Sequence, residues 1–452
     1  MLRRNVGRST RFGVWFTPRE QRACEKDEAA SGAYVIEIAE ENTRRSMVRA
    51  DLGQWVAGAR SSTTRNTSRA PCHGLTLATP HLMQNNDRAA YQPVLASRPA
   101  RRTGTPLLFR SFRSTDQGDI VTLLSRGRPA GYLDIKSAIF DWQFHRNPHS
   151  DGRSSFLVGT PNGTPSDGTI VALNGFMPAR IRFHHQPMLA SWSCDTYVSP
   201  AHRGQGIGKE LIKLVSNAAP LMLGYGISDM SDPIFHAYDW QLHPHVVVLF
   251  YHIAEGGIAG HLKNFGSKLA RRTHEHRPSY ARELGCEDHT PFSAEVDELW
   301  EASRSGYASV VERDSAYLNW KYHEHPLHRY ITYSARFHGR LQGLMIARHD
   351  PEESVIVDYC GPAKDADLMS ELAGAAVADL ARRKTLRVRC ETTHLPLIDA
   401  LHRAGFLSSR HGSRFRVRSN LPTSDVLSGW FLMTGDSDND MMSGTAAASS
   451  RT

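Results

Sequence analysis

The sequence predicts a mixed α/β fold with two related units in succession. Strand-like segments and amphipathic helical segments interleave from residue 106 onward. A Trp-centred segment recurs, because FDWQFHRNPH (140–149) and LNWKYHEHPLH (318–328) share a Trp, an aromatic, a His and a Pro in the same order. A helix ending in AYDW (237–240) likewise matches one ending in RAGF (403–406). Two landmarks in one order favour a domain duplication over a solenoid, with chance similarity as the alternative.

The excess positive charge of the chain lies in its first quarter. The 452 residues include 54 Lys and Arg against 46 Asp and Glu, a net charge of +8. Residues 1–104 alone hold 17 basic and 9 acidic residues, so the remainder is balanced. This segment has no sustained helical or strand period and is predicted to be a basic, disordered extension. A nucleic-acid-binding arm is the less favoured alternative.

Composition also limits the cellular setting. The longest apolar run, Val246–Tyr251, is far shorter than the roughly 20 residues of a membrane helix. The six cysteines form no CxxC pair, and the histidines show no HExxH spacing. This pattern favours a cytoplasmic protein in a reducing compartment, without a disulfide scaffold, a metal site or a membrane partner.

The elements of the first unit follow from local pattern. Alternating apolar residues predict strands, and apolar residues three and four apart predict helices. The turn-rich PNGTPSDG separates two strands, and Pro233 suits the first turn of a short helix. The predicted elements are a strand at 107–113, a helix from Asp116, strands at 154–160, 169–185 and 188–200, a helix at 206–219, a strand at 221–227, a helix at 232–240 and a closing strand pair that ends at residue 251.

The second unit repeats this alternation after a connector. An amphipathic helical pattern followed by charged residues predicts a helical connector at 263–305. The last residues, 434–452, are small, polar and acidic, and are predicted to be a disordered tail. The elements predicted between these segments are strands at 330–336, 341–349, 354–362 and 385–391, helices at 365–383 and 394–404, and a strand-like end at 414–419.

A glycine-rich turn between a strand and a helix carries the strongest chemical signal. The segment SCDTYVSPAHRGQGIGKELIKLV (193–215) ends a strand at Val198 and leads through RGQGIG into an amphipathic helix. The first amides of a helix lack intrahelical acceptors, and glycines let an anion approach them. Arg203 and Lys209 add positive charge, so the turn suits a pyrophosphate. It matches neither a P-loop nor a dinucleotide fingerprint, and a helix start without a ligand is the plain alternative.

These residues resemble the GNAT superfamily, the Gcn5-related N-acetyltransferases. The family signature, [QR]-x-x-G-x-[GA], is matched by Arg203, Gly206 and Gly208. The segment PIFHAYDW (233–240) resembles a later helix of the family. The resemblance implies tandem GNAT-like domains, each with a mixed, mostly antiparallel central sheet flanked by helices.

The resemblance divides the chain into an intact and a degenerate unit. It implies an acyl-CoA site in a domain at 105–262 and a related domain without that site at 306–433. The second unit lacks R-x-x-G-x-G, and Asp365 and Asp367 at the corresponding helix start would repel a pyrophosphate.

The same resemblance implies acetyl-CoA as co-substrate and a set of residues that bind it. The pyrophosphate would lie against the backbone amides of the glycine turn, and the pantetheine arm would pair with the preceding strand edge. The residues implied are Tyr197, Val198, Arg203, Gly204, Gln205, Gly206, Ile207, Gly208 and Lys209.

The catalytic acid and base are less clearly marked. Asp195, two residues before Tyr197, is the candidate general base, with a structural hydrogen-bond acceptor as an equal alternative. Asp229 and Asp232 are runner-up acids, and Asp232 equally suits a helix N-cap. The family often places a tyrosine acid where this sequence has Phe235, which leaves the proton donor unassigned.

Together these features predict an N-acyltransferase. It would pass an acetyl or other acyl group from acyl-CoA to a primary amine of a small molecule or amino sugar, by direct attack on the thioester. The alternative is a non-catalytic acyl-CoA-binding scaffold, because Phe235 and the degenerate second unit both remove expected features. Neither a metal nor a nucleic acid is expected as a partner.

Overall fold

Two mixed β-sheets flanked by helices make up the part of the chain that the structure describes. The computed structural model describes residues 107–128, 131–150, 152–161, 169–273, 281–409, 412–423 and 425–440. The strands are β1 Leu107–Ser111, β2 Phe156–Pro161, β3 Ala172–Phe183, β4 Gln186–Val198, β5 Leu221–Tyr225, β6 Gln241–Leu242, β7 Val247–His252, β8 Glu283–Asp288, β9 Ser309–Val311, β10 Tyr330–Phe337, β11 Arg340–Arg348, β12 Glu353–Cys360, β13 Arg387–Thr392, β14 Leu407–Ser409, β15 Phe415–Ser419 and β16 Trp430–Phe431. The helices are α1 Gln117–Ser125, α2 Tyr132–Phe144, α3 Ile207–Val215, α4 Asp232–His236, α5 Gly257–Thr273, α6 Ala294–Ser303, α7 Ser315–Leu318, α8 Ala366–Arg382 and α9 Leu395–Arg403.

Both sheets are built on one plan. The first has the order β1-β2-β3-β4-β5-β15-β6, which is antiparallel except for β4–β5, and the short β9 and β16 extend it beside β3. The second has the order β8-β10-β11-β12-β13-β7-β14, which is antiparallel except for β12–β13. The predicted fold class, with a mixed and mostly antiparallel sheet flanked by helices in each unit, is confirmed.

The two units exchange one strand each. β7, from the first half of the chain, lies between β13 and β14 in the second sheet. β15, from the second half, lies between β5 and β6 in the first sheet. The predicted closing strand pair is therefore wrong, because apolar alternation predicts a strand but does not specify its partner. The domain limits 105–262 and 306–433 stay a prediction, and the sheets do not follow them.

The repeated Trp segment lies where the two units meet. The rings of Trp142 and Trp320 stack with their centroids 4.9 Å apart. The Trp142 Nε1 donates to the carbonyl oxygen of Trp320 at 2.7 Å, and the Trp320 Nε1 donates to that of Trp142 at 2.8 Å. Reciprocal contacts of this kind are typical of two related copies that face each other, and they agree with the predicted duplication.

The connector predicted at 263–305 contains a strand as well as helices. β8 pairs with β10 at the edge of the second sheet. Five of its six residues are exposed and three are acidic, so the strand lacks the apolar alternation that a sequence pattern detects.

The predicted disordered tail at 434–452 is wrong for its first seven residues. Residues 434–440, here called the C-terminal segment, are folded, and Thr434, Asp436 and Asp440 are buried. Polar packing of this kind depends on partners elsewhere in the chain, which composition does not reveal. The remaining tail, 441–452, and the predicted extension at 1–104 lie outside the described residues. Within the described ranges, no helix is both long and apolar enough to cross a bilayer.

Candidate active site

The strand β4 separates from β5 close to the predicted site. The parallel pairing of these strands is confined to Ser191 and Trp192 of β4. Beyond this point β4 continues to Val198 and β5 to Tyr225, with no ladder between them. The gap leaves one edge of β4 available to a partner that can accept and donate backbone hydrogen bonds.

A β-bulge lies in β4 at the start of this gap. The register of β4 against β3 shifts directly after Cys194. Asp195 has a φ of +50°, a left-handed conformation that few residues other than glycine adopt. The buried Asn174 holds the bulge, since its Oδ1 accepts hydrogen bonds from Ser193 Oγ at 2.8 Å and Thr196 Oγ1 at 2.7 Å. The bulge directs the Asp195 side chain toward α2.

The Asp195 carboxylate is held in a largely buried ion pair. Its Oδ2 lies 2.7 Å from Nζ of Lys136 on α2, and the Lys136 side chain is 3% exposed. Burial acts to lower the pKa of Lys136, but the Asp195 carboxylate outweighs it, so this pKa lies above its ordinary value. The predicted base is therefore paired with a cation that stays charged.

The C-terminal segment reaches the same gap. The Lys321 Nζ donates to the carbonyl oxygen of Ser437 at 2.6 Å. Asn439 lies against Gly226, directly after β5, because a Cβ added to Gly226 would be 2.8 Å from the Asn439 Oδ1. These two contacts place Asp438, the residue between them, at the end of β5.

Asp438 brings a second carboxylate close to Asp195. Burial first, and then the charge of Asp195, raises the pKa of Asp438 to about 6, while Lys136 and Lys321 act in the opposite direction. Within the described ranges, no Lys, Arg or His lies at ion-pair distance from Asp438. Such a group can exchange a proton near neutral pH. Sequence reasoning missed it, and the only signal was the run of acids in TGDSDND.

The runner-up acids are engaged elsewhere. Asp232 is the first residue of α4 and forms an ion pair with Arg416 of β15 at 2.7 Å. The hydrogen bond from Arg416 is the main reason that the pKa of Asp232 lies below its usual value. Asp229 pairs with Arg414. Phe235 is buried in the core. Its side chain has no ionisable group, so this position supplies no proton donor.

The predicted anion site is an exposed turn at the start of α3. Gly204 and Gly206 have φ values of +75° and +84°, which favour glycine. A Cβ added at either glycine would meet no atom within 4 Å, and Gln205 between them is exposed. Gly206 is the N-cap of α3. The amides of Ile207 and Gly208 therefore lie in the first turn, where a helix offers no internal acceptor.

The remaining predicted cofactor residues border this turn. The Arg203 guanidinium lies 5.8 Å from the ring centroid of Tyr197, and its Nε donates to the carbonyl oxygen of Val198 at 3.0 Å. The structure thus brings the end of β4 and the glycine turn together. The Lys209 amide already donates to the carbonyl oxygen of Gly206 at 3.0 Å, so it is less suited to an anion than the amides before it.

The corresponding place in the second unit is closed. Asp365 caps α8, and its Oδ1 accepts the Leu368 amide at 2.9 Å. Near the end of β12, the buried Arg313 lies 2.9 Å from Asp358 and 2.8 Å from Asp436 of the C-terminal segment. Ionic side chains therefore fill the position that is an open gap in the first unit. In the part of the chain that the structure describes, no cluster of three His, Cys, Asp or Glu residues is arranged to hold a metal ion.

Comparison with known proteins identifies the region that carries the open site. Residues 118–227 match the model of the acetyltransferase (GNAT) family. These residues are a GNAT acetyltransferase domain. The matched range includes β4, the gap and the glycine turn. The predicted GNAT membership is confirmed for this region, and with it the enzyme class, a GNAT-type acyl-CoA N-acyltransferase.

Several solved structures are similar to the chain that contains this GNAT domain. They include GCN5-related N-acetyltransferases from Anabaena variabilis (12% identity, 69% of this chain and 72% of that chain, TM-score 0.45) and Kribbella flavida (14%, 69% and 71%, 0.45). A third is an N-myristoyltransferase from Saccharomyces cerevisiae with bound myristoyl-CoA (11%, 72% and 85%, 0.42). A search of curated protein sequences found no significant match.

Proposed function

We propose that the GNAT domain transfers an acetyl group from acetyl-CoA to a primary amine of a small molecule or an amino sugar. The observation that carries this proposal is the gap between β4 and β5, which has the glycine turn at one end and two carboxylates beside it. The pyrophosphate would lie on the first-turn amides of α3. The pantetheine arm would follow the free edge of β4 at Tyr197 and Val198.

The carboxylates account for the choice of an amine. Asp195 and Asp438 lie near two buried lysines, of which Lys136 is paired with Asp195 and Lys321 donates to the carbonyl oxygen of Ser437. A substrate ammonium that reaches Asp438 meets a carboxylate without a cation at ion-pair distance among the described residues, whereas a carboxylate substrate would be repelled by it. The site therefore favours a cationic acceptor next to the thioester.

Acyl transfer requires two proton movements, and Asp438 suits the first. The bound ammonium passes one proton to the Asp438 carboxylate, and its nitrogen then attacks the thioester carbonyl carbon. The C–N bond forms as the C–S bond breaks, the nitrogen loses its second proton, and the CoA thiolate gains one. Asp195, paired with Lys136, would orient the ammonium and share the role of base predicted for it.

The second unit would not bind CoA. The Asp365 carboxylate occupies the helix start where a pyrophosphate would lie, and the ion cluster around Arg313 fills the neighbouring space. Its contribution to the reaction would be structural, since it supplies β15 to the first sheet and the C-terminal segment to the gap.

Calorimetric titration with acetyl-CoA tests the cofactor site through Gly208→Glu. Gly208 does not have a positive φ, and an added Cβ would make an ordinary contact at 3.6 Å with Ile234, so the fold should tolerate the change. The new carboxylate would repel the pyrophosphate, and we expect a Kd raised about tenfold or more. Gly374→Glu on α8 is the matched control, because a Cβ there meets nothing within 4 Å. Wild-type binding that Gly208→Glu leaves unchanged would refute the site.

Release of free thiol separates catalysis from mere binding. We expect the wild-type chain to release CoA thiol from acetyl-CoA in the presence of one or more members of a panel of amines and amino sugars. A chain that binds acetyl-CoA but releases no thiol with any amine would instead support the non-catalytic scaffold, for which the absence of an acid at Phe235 is the specific observation.

A further inference from the structure

The helix α5 turns its apolar face away from the protein. Ile258, Leu262, Phe265 and Leu269 are 83%, 68%, 65% and 48% exposed. Their spacing of four, three and four residues places them on one face of the helix. The amphipathic helices of globular proteins normally bury such a face, so this exposed stripe requires an explanation.

Polar contacts on the opposite face hold α5 in this orientation. Asn264 and Ser267 are buried. The Asn264 side chain donates to the carbonyl oxygen of Glu255 at 3.0 Å and accepts from the Glu255 amide at 3.3 Å. The Ser267 Oγ accepts from the His252 amide at 3.1 Å. Turning the apolar face inward would break these bonds and leave buried backbone groups without partners.

The helix is also basic. The residues of α5 include no Asp or Glu. Lys268 and Arg271 are exposed, and Lys263, which lies 3.7 Å from Glu255, is 52% exposed. Lys268 borders the apolar stripe, whereas Arg271 lies on the side of Ser267, against Gly405. An acid-free helix that combines an apolar stripe with a lysine on its flank suits the interface of an anionic bilayer.

We propose that α5 docks on an anionic lipid surface. The stripe would enter the interfacial layer, and Lys268 would lie beside lipid phosphates. A second copy of the chain fits less well, because a twofold contact would bring the same cations together without an acid on either helix. The extension at 1–104 is also a poor candidate for covering the stripe, because its net charge of +8 would repel a basic helix. This docking would be peripheral, on the surface of the bilayer. It differs from the sequence-based expectation that the protein has no membrane partner.

Sedimentation of the full chain with vesicles tests the proposal. We expect binding to vesicles of phosphatidylcholine and phosphatidylglycerol at 3:1, little binding to phosphatidylcholine alone, and weaker binding at high salt. Phe265→Ser should weaken binding about tenfold by removing apolar surface from the stripe. Lys268→Gln should weaken it less, and only for anionic vesicles. Leu284→Ser on β8, at a side chain that is 49% exposed, is the matched control and should bind like the wild type.

Each contrary result overturns the docking on lipid. One is a wild-type chain that does not sediment with anionic vesicles, or that binds neutral vesicles equally well. Another is an equal loss of vesicle binding in the Phe265→Ser and Leu284→Ser variants. A wild-type dimer in light scattering that Phe265→Ser dissociates would assign the stripe to a second copy instead. Lys268→Gln tests the charge independently if Phe265→Ser fails to fold, because Lys268 is exposed and its substitution leaves the apolar face intact.

Discussion

Asp195 and Asp438 approach the same gap in different surroundings. Asp195 lies 2.7 Å from the Nζ of Lys136, which remains charged. Asp438 has no cation at ion-pair distance among the described residues, and burial together with Asp195 raises its pKa to about 6. Two neighbouring carboxylates with such different environments are typical of sites that divide charge binding from proton transfer. The proposed roles of both residues rest on this difference.

At the residue scale, Asp438→Asn should reduce activity and increase stability. Loss of the base should lower kcat/KM about a hundredfold and remove the fall in activity below about pH 6, with little change in acetyl-CoA binding. The pKa of Asp438 in the folded chain exceeds that of an ordinary carboxyl, so its contribution to stability is lost as the pH rises from about 4 through 6. The neutral amide avoids this loss, and the melting temperature at pH 7.5 should rise.

Thermal melts and pH–rate profiles check this prediction together. Asp134→Asn, at an exposed position on α2, is the control and should change neither quantity. Full activity in Asp438→Asn would exclude it as the base. Reduced activity with a lower melting temperature would point to a structural role instead.

At the element scale, the C-terminal segment is anchored by alternate acids. Asp436 lies 2.8 Å from Arg313, and both side chains are fully buried. Asp440 lies 2.8 Å from Arg348 and accepts a hydrogen bond from the Tyr330 hydroxyl at 2.6 Å. The carboxylate between these anchors is Asp438. The segment thus carries little regular structure, yet it is positioned as firmly as a strand.

Loss of one of these buried ion pairs should lower the stability of the folded chain. Asp436→Asn leaves the buried Arg313 with Asp358 as its remaining acidic partner, and we expect the free energy of unfolding to fall by about 3 kcal/mol. Urea denaturation at pH 7.5 measures this change. Glu301→Gln removes an exposed pair with Arg304 and should cost less than about 1 kcal/mol. Similar losses in both variants would contradict the anchoring role.

At the scale of the whole molecule, the strand exchange joins the two units. β15 completes the first sheet beside β5, and β7 completes the second beside β13. Neither sheet retains its strand order without residues from the other half of the chain. The C-terminal segment comes from the second half of the chain and lies at the gap of the first unit. The candidate active site therefore also requires residues from both halves.

Fragments should therefore not fold alone. We expect residues 107–280 and 281–440, expressed separately, to show no cooperative thermal transition in circular dichroism, because each lacks an internal strand of its sheet. Mixing or co-expressing the two fragments should restore a cooperative transition. Cooperative unfolding of either fragment by itself would refute the prediction.

Much of the site's framework could be read from local sequence. The strand–turn–helix around Gly204, Gly206 and Gly208 depends on residues adjacent in the chain, and each glycine acts through its own backbone. Several helix starts and most of the longer strands were likewise predictable from periodicity, but α2, which carries Lys136, was not among the predicted helices. The strand β8 and the C-terminal segment were not, because their polar side chains are ordered by distant partners.

The sequence by itself determined the mixed α/β elements, the duplicated Trp segment and the glycine turn, because these follow from periodicity and from residues close together in the chain. The tertiary structure alone decided which sheet receives β7 and β15, that Lys136 holds Asp195, and that Asp438 lies in the gap. Alternating apolar residues predict a strand in any sheet, and an acidic residue takes its pKa and its chemistry from whatever the fold places beside it.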